Sequence, residues 1–77
     1  MKYYETVMTC KRSDDEWVYY SGYDVDAAFD AADEGVDCMY AVEIREFELA
    51  KPREEMSDDE YCEMYAQGYS VIGRFEA

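Results

Sequence analysis

Over its first 44 residues the hydrophobic period of this chain changes at two places, and those changes constrain the fold more than any other feature. Before Asp24 the pattern alternates, with Tyr4, Thr6, Met8 and Cys10 on one parity of a Tyr-, Thr- and Val-rich segment. Val25, Ala28, Phe29 and Ala32 then recur at i, i+3, i+4 and i+7. From Val36 alternation returns through Cys38, Tyr40, Val42 and Ile44. Alternation distributes side chains over the two faces of a strand, whereas the three-four spacing lines one side of a helix. A short chain that reads strand, helix, strand must bury that helix against a sheet.

Local punctuation sets the remaining elements. Residues 3–12 form the first predicted strand, Ser13-Asp14-Asp15-Glu16 a polar turn, and Trp17 to Tyr23 a second strand completing a hairpin. Asp24 is an N-cap for a helix over 25–34, with Gly35 expected as the residue just beyond it. The strand 36–49 slips in phase, because Phe47 and Leu49 fall on the parity opposite to Val42 and Ile44. A bulge near Arg45-Glu46 would return them to one core. Ser57 and Glu60 form a capping box, and Met56 is placed to staple onto Tyr61. That predicts a second helix over 58–67, stopping at Gly68, with Tyr61, Cys62 and Tyr65 as its core face. A last strand covers 69–75, with Tyr69, Val71 and Phe75 on one side. The expected fold is α+β: one domain over 1–77 in ββαβαβ order, a mainly antiparallel four-stranded sheet with two short helices on one face.

Composition narrows the function classes. The chain carries 20 Asp and Glu against 7 Lys and Arg, a formal net charge of -13 over 77 residues. Such a surface repels nucleic acid and anionic membranes, so neither is an expected partner. At 49% hydrophobic and 17% aromatic residues, the chain is too apolar for a disordered acidic tail. It contains no histidine, which removes the imidazole base, the Ser-His triad and the His metal ligand. Cys10, Cys38 and Cys62 are odd in number and lack a CxxC pair, so they are expected to be small, largely buried residues in a reducing cytoplasm. The opening Met1-Lys2-Tyr3-Tyr4-Glu5 does not read as a signal peptide, and no uncharged run is long enough to span a bilayer. Asp24-Val25-Asp26 has the start of a calcium loop, but Phe29 stands where that loop needs glycine. Carboxylate pairs are too numerous here to indicate acid–base chemistry, and no phosphate loop or nucleophile elbow accompanies them. The expectation is a non-catalytic protein without metal or cofactor.

The acids are unevenly placed. Asp26, Asp30, Asp33 and Glu34 lie opposite the apolar stripe of the first helix, and no Lys or Arg occurs between Arg12 and Arg45. Like charges at i, i+4 cost a helix about 0.2–0.5 kcal/mol per pair. Asp33 and Glu34 also oppose the macrodipole at the helix C-terminus. Local rules broken together in one helix point to function. Asp37 extends this charge, Asp14, Asp15 and Glu16 form a second patch in the hairpin turn, and Asp58 and Asp59 form a third at the start of the second helix. Carboxylates four residues apart on a helix are separated by about 6 Å along its axis. That is of the order of phosphate spacing on a nucleic-acid strand, whose rise is ~3.4 Å per nucleotide. Trp17, Tyr19, Tyr20 and Tyr23 cannot all fit in so small a core, and Tyr20 and Tyr23 are expected to flank the acids that begin with Asp24.

In these features, above all in the segment from Asp24 to Glu34, the chain resembles the small acidic inhibitors that phages and mobile elements direct against CRISPR and restriction systems. The likeness is one of class: short, α+β, strongly negative, without a catalytic kit. It implies a bacterial host cytoplasm and a basic nucleic-acid-handling protein as partner, such as a Cas or restriction subunit, held by an acidic surface that occupies its nucleic-acid site. A second reading is an interaction module or homodimeric regulatory subunit that uses a Tyr-rich sheet face through Trp17, Tyr19 and Tyr40, with the charge serving solubility. Salt dependence separates the two, since only the first should weaken steeply with added salt.

Overall fold

A computed structural model of the chain describes residues 1–76. The elements follow in the order β1 (Lys2–Thr9), β2 (Glu16–Gly22), α1 (Val25–Asp37), β3 (Ala41–Glu48), a 3-10 turn (Arg53–Glu55), α2 (Asp58–Gln67) and β4 (Ser70–Phe75). The strands form one antiparallel sheet in the order β2-β1-β3-β4. The α+β class, the ββαβαβ order and the four-stranded antiparallel sheet are as the sequence predicts. Among the described residues no helix is long and apolar enough to cross a membrane.

The helices do not share a face. β1 pairs with β3 in unbroken register from Lys2↔Glu48 to Thr9↔Ala41. Alternation along β1 therefore sends Tyr4, Thr6 and Met8 to one side and Tyr3, Glu5 and Val7 to the other. The first set joins Val42, Ile44, Ala28 and Ala32 in a core under α1. The second side holds a separate core of Tyr3, Phe47, Leu49 and Met64 under α2. The phase slip in β3 is thus no bulge returning side chains to one core. It marks the point along the strand where the covering helix changes from α1 to α2. The irregular register lies instead in the edge strands. On β4, Ile72 is the extra residue between Gly73↔Ile44 and Val71↔Arg45. On β2, Tyr19 is the extra residue between Tyr20↔Thr6 and Val18↔Val7. The β4 irregularity puts Val71 opposite Arg45 and Phe75 opposite Val42, on different faces.

The two helices approach the sheet by different means. α1 buries Ala28, Ala31, Ala32 and Gly35, so its backbone comes close. Thr6 Oγ1 donates to the Ala28 carbonyl at 2.8 Å. Gly35 lies inside α1, not beyond its end, at a close contact where an added Cβ would meet Met8 Cε at 2.6 Å and Val42 Cγ2 at 2.7 Å. The helix instead runs to Asp37 and closes with two reversed bonds, Tyr40 N–H to Gly35 O at 3.0 Å and Met39 N–H to Val36 O at 2.9 Å. This closure needs a left-handed residue, usually glycine. Met39 takes it, at φ 67°. α2 reaches the sheet through longer side chains, Tyr61, Met64 and Tyr65. It starts at the predicted capping box, with Glu60 N–H donating to Ser57 Oγ and Ser57 N–H donating to Glu60 Oε1. Cys62 is exposed on its outer side, and Cys38 is exposed at the end of α1, so neither is the buried residue expected.

Candidate functional site

Helix α1 carries its charge on the side away from the sheet. Asp26, Asp30, Asp33, Glu34 and Asp37 are all exposed. At 3.6 residues per turn, Asp26, Asp30, Asp33 and Asp37 fall within an arc of about 60° and span about 16 Å of helix. Asp37 joins this line only because α1 passes through Gly35. No basic residue stands in the last turn, so three acids crowd the negative end of the helix dipole. The sheet and α2 pair their acids differently. Lys2 lies 3.3 Å from Glu46 and 3.6 Å from Glu48, Arg45 2.8 Å from Glu43 and 3.6 Å from Glu16, Arg74 3.1 Å from Glu43, and Lys51 2.6 Å from Glu60. None of these pairs reaches an α1 carboxylate.

The other expected site residues divide into three groups. Asp24 is committed to capping, accepting from Asp26 N–H at 2.9 Å and Ala27 N–H at 3.3 Å. Asp14 and Asp15 are exposed in the hairpin turn, at the end of the sheet where Met8 meets Gly35 and α1 finishes. Glu16, beside them, is tied to Arg45. Asp58 and Asp59 are exposed but belong to α2 on the opposite face, so they form no surface with the α1 line.

The flanking tyrosines also differ from expectation. Tyr20 packs into the α1 core, with its hydroxyl 3.3 Å from the Asp24 carbonyl. Tyr23 turns to the other side, where its ring stands 5.7 Å from Tyr3 and its hydroxyl donates to Glu54 at 2.8 Å and accepts from Arg53 N–H at 2.8 Å. The ring beside the α1 acids is Tyr19, whose hydroxyl donates to Glu34 Oε2 at 2.6 Å. That bond and the carboxylate's charge raise the Tyr19 phenol above its ordinary value. Trp17 stands edge-on to Tyr40, with ring centroids 4.9 Å apart. Met39 carries only a weak sequence signal, an apolar residue two positions beyond the end of α1.

A polar cluster lies under α2. Glu5 is 1% exposed. Its carboxylate accepts from Tyr3 Oη at 3.1 Å, from Tyr61 Oη at 2.5 Å, and from Tyr65 Oη. Burial, then the Glu5 bond, holds the Tyr61 and Tyr65 phenols above the ordinary range, and burial pushes Tyr3 up to about 12. The cluster is closed to substrate by the helix it anchors. Among the described residues no group of three or more Cys, Asp or Glu has the geometry to hold a metal ion. Comparison with protein-family models, with curated proteins and with solved structures found no match.

Proposed function

We propose that the protein is a non-catalytic inhibitor that binds a basic nucleic-acid-handling protein, of the kind that phages and mobile elements direct against CRISPR effectors or restriction enzymes. The observation that carries this reading is the line of Asp26, Asp30, Asp33 and Asp37 on the outer side of α1. The dipole favours only Asp26, in the first turn; Asp33 and Asp37 stand at its negative end, and the acids repel one another, yet they are held in a row. A rigid row of negative charge fits a Lys/Arg channel built for phosphates, and long-range attraction speeds its capture. Asp14 and Asp15 at the same end of the sheet add to the field, and the work would take place in a bacterial host's cytoplasm.

Capture from a bacterial lysate at low and high salt, with identification of the retained proteins, tests this reading. A Cas or restriction subunit held at low salt, shed at high salt and lost with Asp26→Lys plus Asp30→Lys supports it. A partner indifferent to both overturns it. The second reading, an aromatic docking face or homodimer, is favoured by the exposure of Trp17 and Tyr19 on β2. It requires binding that survives high salt.

A further inference from the structure

We propose that the C-terminal end of α1 is an arginine site, which takes a guanidinium of the basic partner against the Trp17 and Tyr19 rings and the carboxylates of Glu34 and Asp37. This deepens the inhibitor reading and rests on it. Trp17 is 38% exposed, Tyr19 50% and Met39 72%. Trp17 and Tyr19 lie on the α1 side, since Trp17 opposes Met8 and touches Tyr40 and Tyr19 bonds Glu34, and Met39 directly precedes Tyr40 in the chain. The left-handed closure, a place where glycine costs least, instead carries an apolar side chain exposed to solvent. The same spot is the most negative part of the helix, with Asp33, Glu34, Asp37 and the helix C-terminus together.

Rings and carboxylates side by side recognise a cation, and the planar guanidinium suits both better than an ammonium. The protein uses this chemistry internally. Arg45 sits 4.9 Å over the Tyr69 ring while paired with Glu43 at 2.8 Å, and Arg53 sits 3.9 Å over the Tyr61 ring. Neither arginine reaches Trp17 or Tyr19, which offer the same groups outward.

Trp17 is the only tryptophan, so its fluorescence reports the site directly. The test titrates the intact protein with oligo-arginine and oligo-lysine peptides of equal length at fixed salt. It reads Trp17 emission and, by NMR, the Met39 methyl and the α1 amides. Oligo-arginine should bind about fivefold tighter, the factor that about 1 kcal/mol of cation–ring attraction supplies. It should move both reporters, and Tyr19→Leu should shrink the preference by weakening oligo-arginine binding more than oligo-lysine binding. Trp17→Leu, read through the Met39 methyl, should do the same. Equal affinities, or shifts confined to the amides of 26–33 with Trp17 unmoved, would overturn the site. If the preference is absent while Asp26→Lys plus Asp30→Lys still abolishes partner capture, the arginine site fails and the inhibitor reading stands. If the preference is present and no nucleic-acid-handling partner is captured, the site stands and that reading fails.

Discussion

Replacing Gly35 with alanine sets helix propensity against packing. In an open helix interior the change stabilises by about 1 kcal/mol. Gly35 is not in the open. An added Cβ would lie 2.6 Å from Met8 Cε, 2.7 Å from Val42 Cγ2 and 3.2 Å from Met8 Sδ. Met8 and Val42 are 2% and 3% exposed. Swinging the Met8 methyl leaves its sulfur still crowded, and Val42 is β-branched and stiff. Carbon contacts settle at about 3.5–4.0 Å, so α1 must lift by roughly 1 Å. Overpacking of this kind costs about 1–3 kcal/mol. The net expectation is a loss of about 1 kcal/mol, or a Tm lower by about 6 °C in a domain of this size. Thermal and urea unfolding followed by circular dichroism would measure it, for Gly35→Ala alone and with Val42→Ala. The double variant removes one of the clashing methyls, so the alanine should cost clearly less in that background. A rise in Tm for Gly35→Ala, or strict additivity with Val42→Ala, would refute the close approach of α1.

Glu5→Ala leaves three tyrosine hydroxyls without their buried acceptor and should lower stability by about 3 kcal/mol, against about 1 kcal/mol for Tyr65→Phe; urea midpoints would show the order. The raised phenols of Tyr3, Tyr61 and Tyr65 predict alkaline sensitivity. Their neutral forms are favoured by folding, so this stability is complete below the ordinary tyrosine value near 10 and is lost as pH rises above it. Phenolate absorbance should show these three titrating above the ordinary value, together with loss of the fold, and Tyr61→Phe plus Tyr65→Phe should flatten that limb. Met39→Gly relieves a left-handed side chain and should stabilise by about 0.5–1 kcal/mol in thermal melts. The same substitution should weaken oligo-arginine binding.

Most of the architecture was legible because it rests on period and caps. The alternation around Met8 and around Val42, the three-four spacing from Val25 to Ala32, and the Ser57–Glu60 box each reflect local geometry. What could not be read depends on which face a strand's second parity meets. Phe47 and Leu49 looked displaced from Val42 and Ile44 under the assumption of one core; with two cores both parities are buried. Gly35 has the look of a helix stop, and only the proximity of Met8 and Val42 makes it an interior contact. Glu5 reads as one acid among many. Its partners Tyr61 and Tyr65 are four residues apart on a helix, but nothing local says that their hydroxyls converge on β1. In the candidate site, the α1 acids were legible from spacing. The flanking ring was not, because the extra residue in β2 decides that Tyr19, and neither Tyr20 nor Tyr23, stands beside Glu34.

The irregularities at Tyr19 and Ile72 fall on the two outermost strands, one on each rim of the sheet. An open rim invites a neighbouring chain to continue the ladder, and an extra residue spoils the template by kinking it. A protein that acts by occupancy, as proposed above, must be present in numbers that match its target. For a tyrosine-rich domain at such a concentration, the hazard is growth into fibres. Mutual repulsion keeps copies apart at low ionic strength, but salt weakens it. The kinked rims do not depend on salt, so they oppose edge-to-edge growth where charge alone would not.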